Sequence, residues 1–233
     1  MDMRGRRLWP WAVAAASAAL VAPTAASAQI IEIGDLGTEV TPSCPSSPCL
    51  AVNRTTGYQA KVGPRRGLMK VPRDGRIVAW TVRLAKPGPR QIAFFNQQQG
   101  GAASAQITIL RTGTKLRARA VAQGELQQLE PYFGTTVQFA LERSIPVKKD
   151  YVIALTVPTW APALAVGLGN DTSWRASRSR GSCDDNRSQT AQTEVNQLAQ
   201  YYCLYRTARL TYSATLVTDP EKPRTTTRRT SGA

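Results

Sequence analysis

The chain contains no histidine. That absence excludes the Ser-His-Asp and Cys-His arrangements of nucleophilic catalysis and removes the commonest general base near neutral pH. Cysteine is scarce, at four residues, and no CxxC pair occurs, so a tetrahedral zinc site finds no donor set. Beyond the N-terminal leader no stretch is long and apolar enough to span a bilayer, no repeat of fixed period occurs, and no LPxTG-type string or apolar C-terminal stretch marks the chain for anchoring. Acidic residues are few, 15 against 30 Lys and Arg, for a formal net charge of +15, yet the basic residues are scattered and no run exceeds two.

The leader, residues 1–28, has the three parts of a secretory signal peptide: a basic start (Arg4, Arg6, Arg7), an apolar run from Leu8 to about Val21, and the small-residue ending "ASA" before Gln29. Cleavage after Ala28 is expected, leaving a chain with no transmembrane segment that is secreted or held at the cell envelope. The competing reading is an uncleaved anchor, since the run approaches the ~20 apolar residues a spanning helix needs. Pro10, Pro23 and the A-x-A site argue for cleavage. A basic balance inside the cell would suggest nucleic acid; outside it, nucleic acid is not expected as the physiological partner, and envelope polymers, acidic polysaccharides and anionic lipid surfaces are the available polyanions. A merely solubilising surface is the plainer alternative.

An even number of cysteines in an exported chain reads as disulfides. Of the three possible pairings, Cys44 with Cys49 in "CPSSPC" and Cys183 with Cys203 is favoured, because each bond closes a local loop.

Period-two alternation recurs throughout, and helical periodicity barely appears. In "GRIVAWTVRL", Val78, Trp80, Val82 and Leu84 share one face, and Ile77, Ala79, Thr81 and Arg83 the other, which predicts one buried and one partly wet face in an antiparallel sheet. "CLAVNRTTGYQAKV" reads as a hairpin turning at Arg54–Gly57, and "QIAFF" as a strand. About eleven or twelve short strands spaced by Gly, Pro, Asn and Asp clusters predict an all-β antiparallel sandwich over 48–217. It is preceded by a loop-rich segment at 29–47 and followed by a disordered basic tail at 218–233. The one short helix is expected near 188–200, in "SQTAQTEVNQLAQ".

"VPRDGRIVAWTV", then "AQITILR", then "ERSIPVKKDYVIALTV" together resemble a pattern in uncharacterised exported bacterial proteins with a jelly-roll-like β-sandwich module. There a "VP-x-DG" turn leads into a Trp-containing strand and a "V-x-x-GD" turn precedes a late core strand. Here Lys149-Asp150 stand at the second turn, without its usual glycine. The resemblance covers roughly residues 48 to 217 and implies the fold; no activity comes with it.

Candidate ligand-binding residues are Trp160 and Trp174, at loop or strand-end positions where sugars stack on exposed rings, with Arg175, Arg178 and Arg180 nearby to hold an acidic sugar or phosphate. The alternative is that both rings close the ends of the sandwich. Asn170, Asp171, Asp184 and Asp185, joined by Asn186, supply oxygens for calcium if their loops meet, calcium needing about six to eight; otherwise they are ordinary turn residues and no cofactor is expected. The function expected is an exported, non-catalytic binding or structural module associating with an anionic envelope or extracellular polysaccharide. The alternative is a carbohydrate-active enzyme with paired carboxylates drawn from Glu125, Glu130, Glu142, Asp171, Asp184 and Asp185.

Overall fold

The computed structural model describes residues 27–34, 40–185 and 189–220. The leader to Ala26, Asn186 and the tail from Glu221 lie outside the described residues. The strands are, in order, β1 (Ile30–Ile33), β2 (Val52–Val62), β3 (Arg65–Arg66), β4 (Gly75–Arg83), β5 (Ser104–Thr112), β6 (Arg117–Gln123), β7 (Gln127–Gln128) and β8 (Thr136–Val147). They continue as β9 (Val152–Ala161), β10 (Leu164–Val166), β11 (Ser173–Ala176), β12 (Leu198–Gln200), β13 (Cys203–Arg206), β14 (Ala208–Leu210) and β15 (Tyr212–Thr218). One helix, α1 (Pro89–Gln98), joins β4 to β5. A single 3-10 turn, Glu130–Tyr132, follows β7; among the described residues no helix is long and apolar enough to cross a membrane.

All pairings are antiparallel, and the strands form a β-sandwich. One sheet runs β1-β15-β4-β8; the larger runs β12-β6-β5-β9-β2-β11-β13, with β3 on β2 and β7 on β5, and β10 pairs with β14 in a small ribbon. Trp80 fills the first sheet's inner face, fully buried and 4.9 Å from Phe139. Ile107, Ile109, Ile153 and Leu155 of the larger sheet belong to the same core. Tyr212 on β15 donates its hydroxyl across the sandwich to the carbonyl of Ile153 at 2.9 Å, tying one sheet to the other. Burial, opposed by the backbone contact at Leu155, holds that phenol's pKa well above 10, so it stays a donor.

The alternation in β4 holds from Trp80 onward but not before it. Ile77 is fully buried and Val78 only half-buried, because one extra residue bulges the strand between Ile77 and Ala79 and turns its start over. The expected hairpin at Arg54–Gly57 is a single long strand instead. Its Asn53-to-Thr55 register shift is absorbed by Arg54 at φ 41°, a bulge where the sequence reads as a turn.

"QIAFF" belongs to α1, not to a strand. Pro89 occupies the first helical turn with its φ already helical, Gly88 before it is extended, and Gln91 Oε1 accepts the Gly88 amide at 2.8 Å, closing the open end of the helix. The segment 188–200 holds no helix among its described residues; it lies on the outer face of the larger sheet and ends as β12. Gln192 explains the choice: its amide hydrogens go to the carbonyls of Ala118 and Gln197, its backbone N–H to Thr56 Oγ1 at 2.9 Å, and its Oε1 accepts from Tyr201. These bonds, together with Thr56–Thr156 (2.9 Å) and Thr156–Thr108 (2.6 Å) hydroxyl pairs, bury a polar layer with its partners satisfied, which no isolated helix offers. β5 and β9 are consequently covered on both faces, where the alternation predicted one wet side.

The two turns behind the resemblance meet. Asp74 of "PRDG" accepts the Lys149 amide at 2.7 Å, and Asp150 takes the left-handed conformation, φ 68°, that a glycine would otherwise supply. The segment 29–47 contributes β1 to the first sheet, and the chain stays in register with it through Thr218, whose N–H reaches the carbonyl of Gln29 at 2.8 Å.

Candidate binding site

Both disulfides form, Cys44–Cys49 and Cys183–Cys203. The second ties the loop after β11 to β13 and closes the edge of the larger sheet formed by β2, β11 and β13. This three-stranded ribbon carries Trp174 and Arg175, with Arg178 in the loop that follows β11, and because successive side chains on a strand point to opposite faces, it divides the first two.

On one face, Trp174 of β11 stacks on Tyr205 of β13, ring centroids 4.7 Å apart. Trp174 rests on Gly57 of β2, where a methyl group would sit 2.8 Å from the indole; only glycine leaves room. Arg178, 4% exposed, packs beside the pair with its guanidinium carbon 5.7 Å from the Tyr205 ring. One terminal nitrogen donates to the Cys183 carbonyl and the Tyr205 hydroxyl, and the other to the carbonyl and side-chain oxygens of Asn53. Trp174 and Arg178 line a cavity of about 300 Å³ that also takes in Arg206.

On the other face Arg175 joins a different pocket, of about 260 Å³, whose lining includes Tyr58, Lys61, Arg66 and Lys70. Four cationic side chains line it and no acidic one does. Arg175 is held in place by donating to the carbonyls of Tyr201 and Tyr202 at 3.0 and 3.2 Å. Burial raises the pKa of the Tyr58 phenol although Arg175 pulls it down, so Tyr58 stands at the pocket as a neutral hydroxyl. Lys61, Arg66 and Lys70 come from β2, β3 and the loop after β3, brought together by the β2–β3 pairing and the turn at Gly63, φ 56°. Asp171, the acid that approaches this region, lies against the Gly63 turn and is not part of the lining.

The remaining candidates separate from these pockets. Trp160 is fully buried: it stacks on Phe95 at 4.7 Å, meets Phe133 at 5.6 Å and donates its indole N–H to Asn96 Oδ1 at 2.8 Å. It closes the sandwich under α1 and presents no surface to a sugar, a correction of the platform reading at that residue. Arg180 is exposed and lies over the Tyr202 ring, 5.7 Å from its centroid, outside both pockets.

Asn170 and Asp171 sit in the exposed turn before β11, and Asp184 and Asp185 follow Cys183. Among the described residues no three His, Cys, Asp or Glu side chains gather as a metal site would require. Of the acids considered for catalysis, Glu130 accepts from Asn96 Nδ2 at 3.0 Å beside α1, Glu142 lies on β8 of the first sheet, and Asp171 belongs to the turn before β11.

Tyr58, Lys61, Arg66 and Lys70 carry no mark in the sequence as site residues. Their spacing shows no charge run; pairing of β2 with β3 gathers three of the four charges into one pocket. The signal available was the succession of basic residues with no acid from Arg54 to Arg73. No family model, no curated protein and no solved structure matches this chain.

Proposed function

We propose that the protein is an exported, non-catalytic binding module that holds an anionic polymer, an acidic envelope or extracellular polysaccharide, on the face of the ribbon carrying Lys61, Arg66, Lys70 and Arg175. The observation that carries this reading is the pocket with four cationic side chains and no acid in its lining. Like charges lining one pocket repel one another, and a polyanion relieves that repulsion. Tyr58 gives the pocket a ring and a neutral hydroxyl, suited to sugar contact beside the charges. The leader and the two disulfides fit a protein that meets its partner outside the cytoplasm.

Retention on immobilised polygalacturonate tests the proposal. The wild-type chain is expected to be retained in dilute buffer and released as salt approaches about 0.5 M, because the screening length shrinks to a few ångströms. The variant Lys61→Gln/Arg66→Gln/Lys70→Gln is expected to bind at least about tenfold more weakly, while substitution of three basic residues elsewhere on the surface, Arg90→Gln/Arg111→Gln/Arg143→Gln, leaves most of the affinity. Equal loss in both triple variants would reduce the effect to net charge and refute a dedicated site. Neutral dextran is expected not to retain any of the three proteins.

A further inference from the structure

The second face of the ribbon has properties that a polymer surface does not need. Its cavity measures about 300 Å³, and its wall is largely apolar, with Leu50, Val52, Leu164 and Val166 lining it together with the stacked Trp174–Tyr205 pair. The charged residues in that wall are Arg178 and Arg206, with no acid. Arg178 is buried, and each acceptor named for it is a neutral oxygen: two carbonyls, a phenol and an amide. A guanidinium taken out of water keeps its full positive charge, and neutral dipoles solvate but do not cancel it. Two further donors on lining residues, Trp174 Nε1 and Arg178 Nε, are buried and find no acceptor among the described residues. Buried donors are almost always satisfied, so a pair of orphans on neighbouring side chains beside one cavity points to a missing acceptor.

We propose that this cavity is a binding site for one small amphipathic carboxylate: a ligand whose apolar body of roughly ten carbon atoms fills the space against Trp174, Leu164 and Val166, and whose carboxylate lies toward Arg178 and Arg206. Volume and wall chemistry are those of a small-molecule site, a mostly apolar cleft with a few converging polar groups. The stacking of Trp174 on Tyr205, with Gly57 beneath the indole, fixes the ring before a ligand arrives and reduces the ordering cost of binding. The Cys183–Cys203 bond holds the loop that carries Arg178 against β13, so the charge is placed by the covalent frame. The site is separate from the polymer face: Trp174 and Arg175 are sequence neighbours pointing to opposite sides of β11, and neither pocket needs the other.

The test is calorimetric titration of the disulfide-intact protein with 2-naphthoate and with its neutral analogue 2-naphthamide. The acid is expected to bind one-to-one and saturably, and the amide at least about tenfold more weakly, since only the acid neutralises the arginines. Trp174→Phe keeps the stack and deletes the indole N–H, and Arg206→Gln removes an exposed charge; each is expected to weaken naphthoate about five- to tenfold with the melting temperature retained. The Lys61→Gln/Arg66→Gln/Lys70→Gln variant is expected to bind naphthoate as the wild type does, and Trp174→Phe to keep its retention on polygalacturonate. Absence of saturable binding, equal affinity for acid and amide, or loss of naphthoate binding in the lysine and arginine triple variant would overturn the site. Failure of polymer retention alone would leave it standing and refute the polymer reading.

Discussion

Replacing Gly75 with alanine is expected to lower the stability of the protein by about 3 kcal/mol or more, the upper range for forced overpacking. The reason is backbone, not conformation. Gly75 opens β4 between two partners, paired with Thr218 of β15 on one side and Val147 of β8 on the other. A methyl group there would lie 2.3 Å from the carbonyl oxygen of Val217 and 2.8 Å from Thr218 Cα. Neither atom is the end of a flexible side chain. Relief requires β15 to move away from β4, and β15 also carries Tyr212, whose hydroxyl joins the two sheets. Gly113→Ala is the matched control, because its new methyl would meet only the Arg117 carbonyl, at an ordinary 3.6 Å. Urea denaturation of both variants is expected to separate them by at least about 2 kcal/mol. Equal stabilities would show that the end of β4 is not held as described.

The second large effect is at Trp160. Trp160→Ala is expected to cost about 3–5 kcal/mol, the range for deleting a fully buried large aromatic. The indole fills the space between β9 and α1, stacked on Phe95, and its N–H satisfies Asn96. Deleting it opens a cavity and strips Asn96 Oδ1 of that donor, so the loss combines packing with an unpaired polar group. α1 is expected to lose its amide protection first, since Phe95 is its one fully packed side chain. Trp160→Phe, which keeps a ring but not the hydrogen bond, is expected to cost roughly half as much. A cost near zero for the alanine variant, read from denaturation and hydrogen exchange, would mean that the ring is peripheral and available to a ligand.

Much of the fold is written in the sequence at short range. The alternation of β4 after the bulge, the segments of β5, β9, β11 and β13, and the local pairing of both cysteine couples follow from period and chain distance. The misread elements share a cause: local signals with two physical solutions. Asn53-Arg54 suits a bulge as well as a turn, and which one forms depends on β9 and β11 lying alongside β2. "PRQIAFF" is too short for its period to separate helix from strand, and the deciding mark was Pro89 after Gly88, a helix start. Residues 188–200 favour a helix in isolation, but the backbone N–H of Gln192 on Thr56 Oγ1 and its side-chain amide on the carbonyls of Ala118 and Gln197 are worth more than the same groups in a solvated turn.

The site was legible only in part. Trp174, Arg175 and Arg178 could be named as a cluster from proximity in the chain, whereas their division between two faces needed the strand boundaries of β11. The cationic pocket left only the acid-free stretch from Arg54 to Arg73 as a trace: Lys61, Arg66 and Lys70 are unremarkable singly, and tertiary pairing with Arg175 from more than a hundred residues away makes them one site. Trp160 looked exposed because "VPTWAP" reads as a loop, yet β9 runs through it to Ala161 under the cover of α1.

The most direct test of the account is an amide and indole chemical-shift map of the disulfide-intact protein titrated with a short polygalacturonate oligomer. Shifts are expected at Tyr58, Lys61, Arg66, Lys70 and Arg175, with the Trp174 and Trp160 indole signals unmoved. Shifts centred on the Trp174 indole, or spread evenly over every basic residue of the surface, would contradict it.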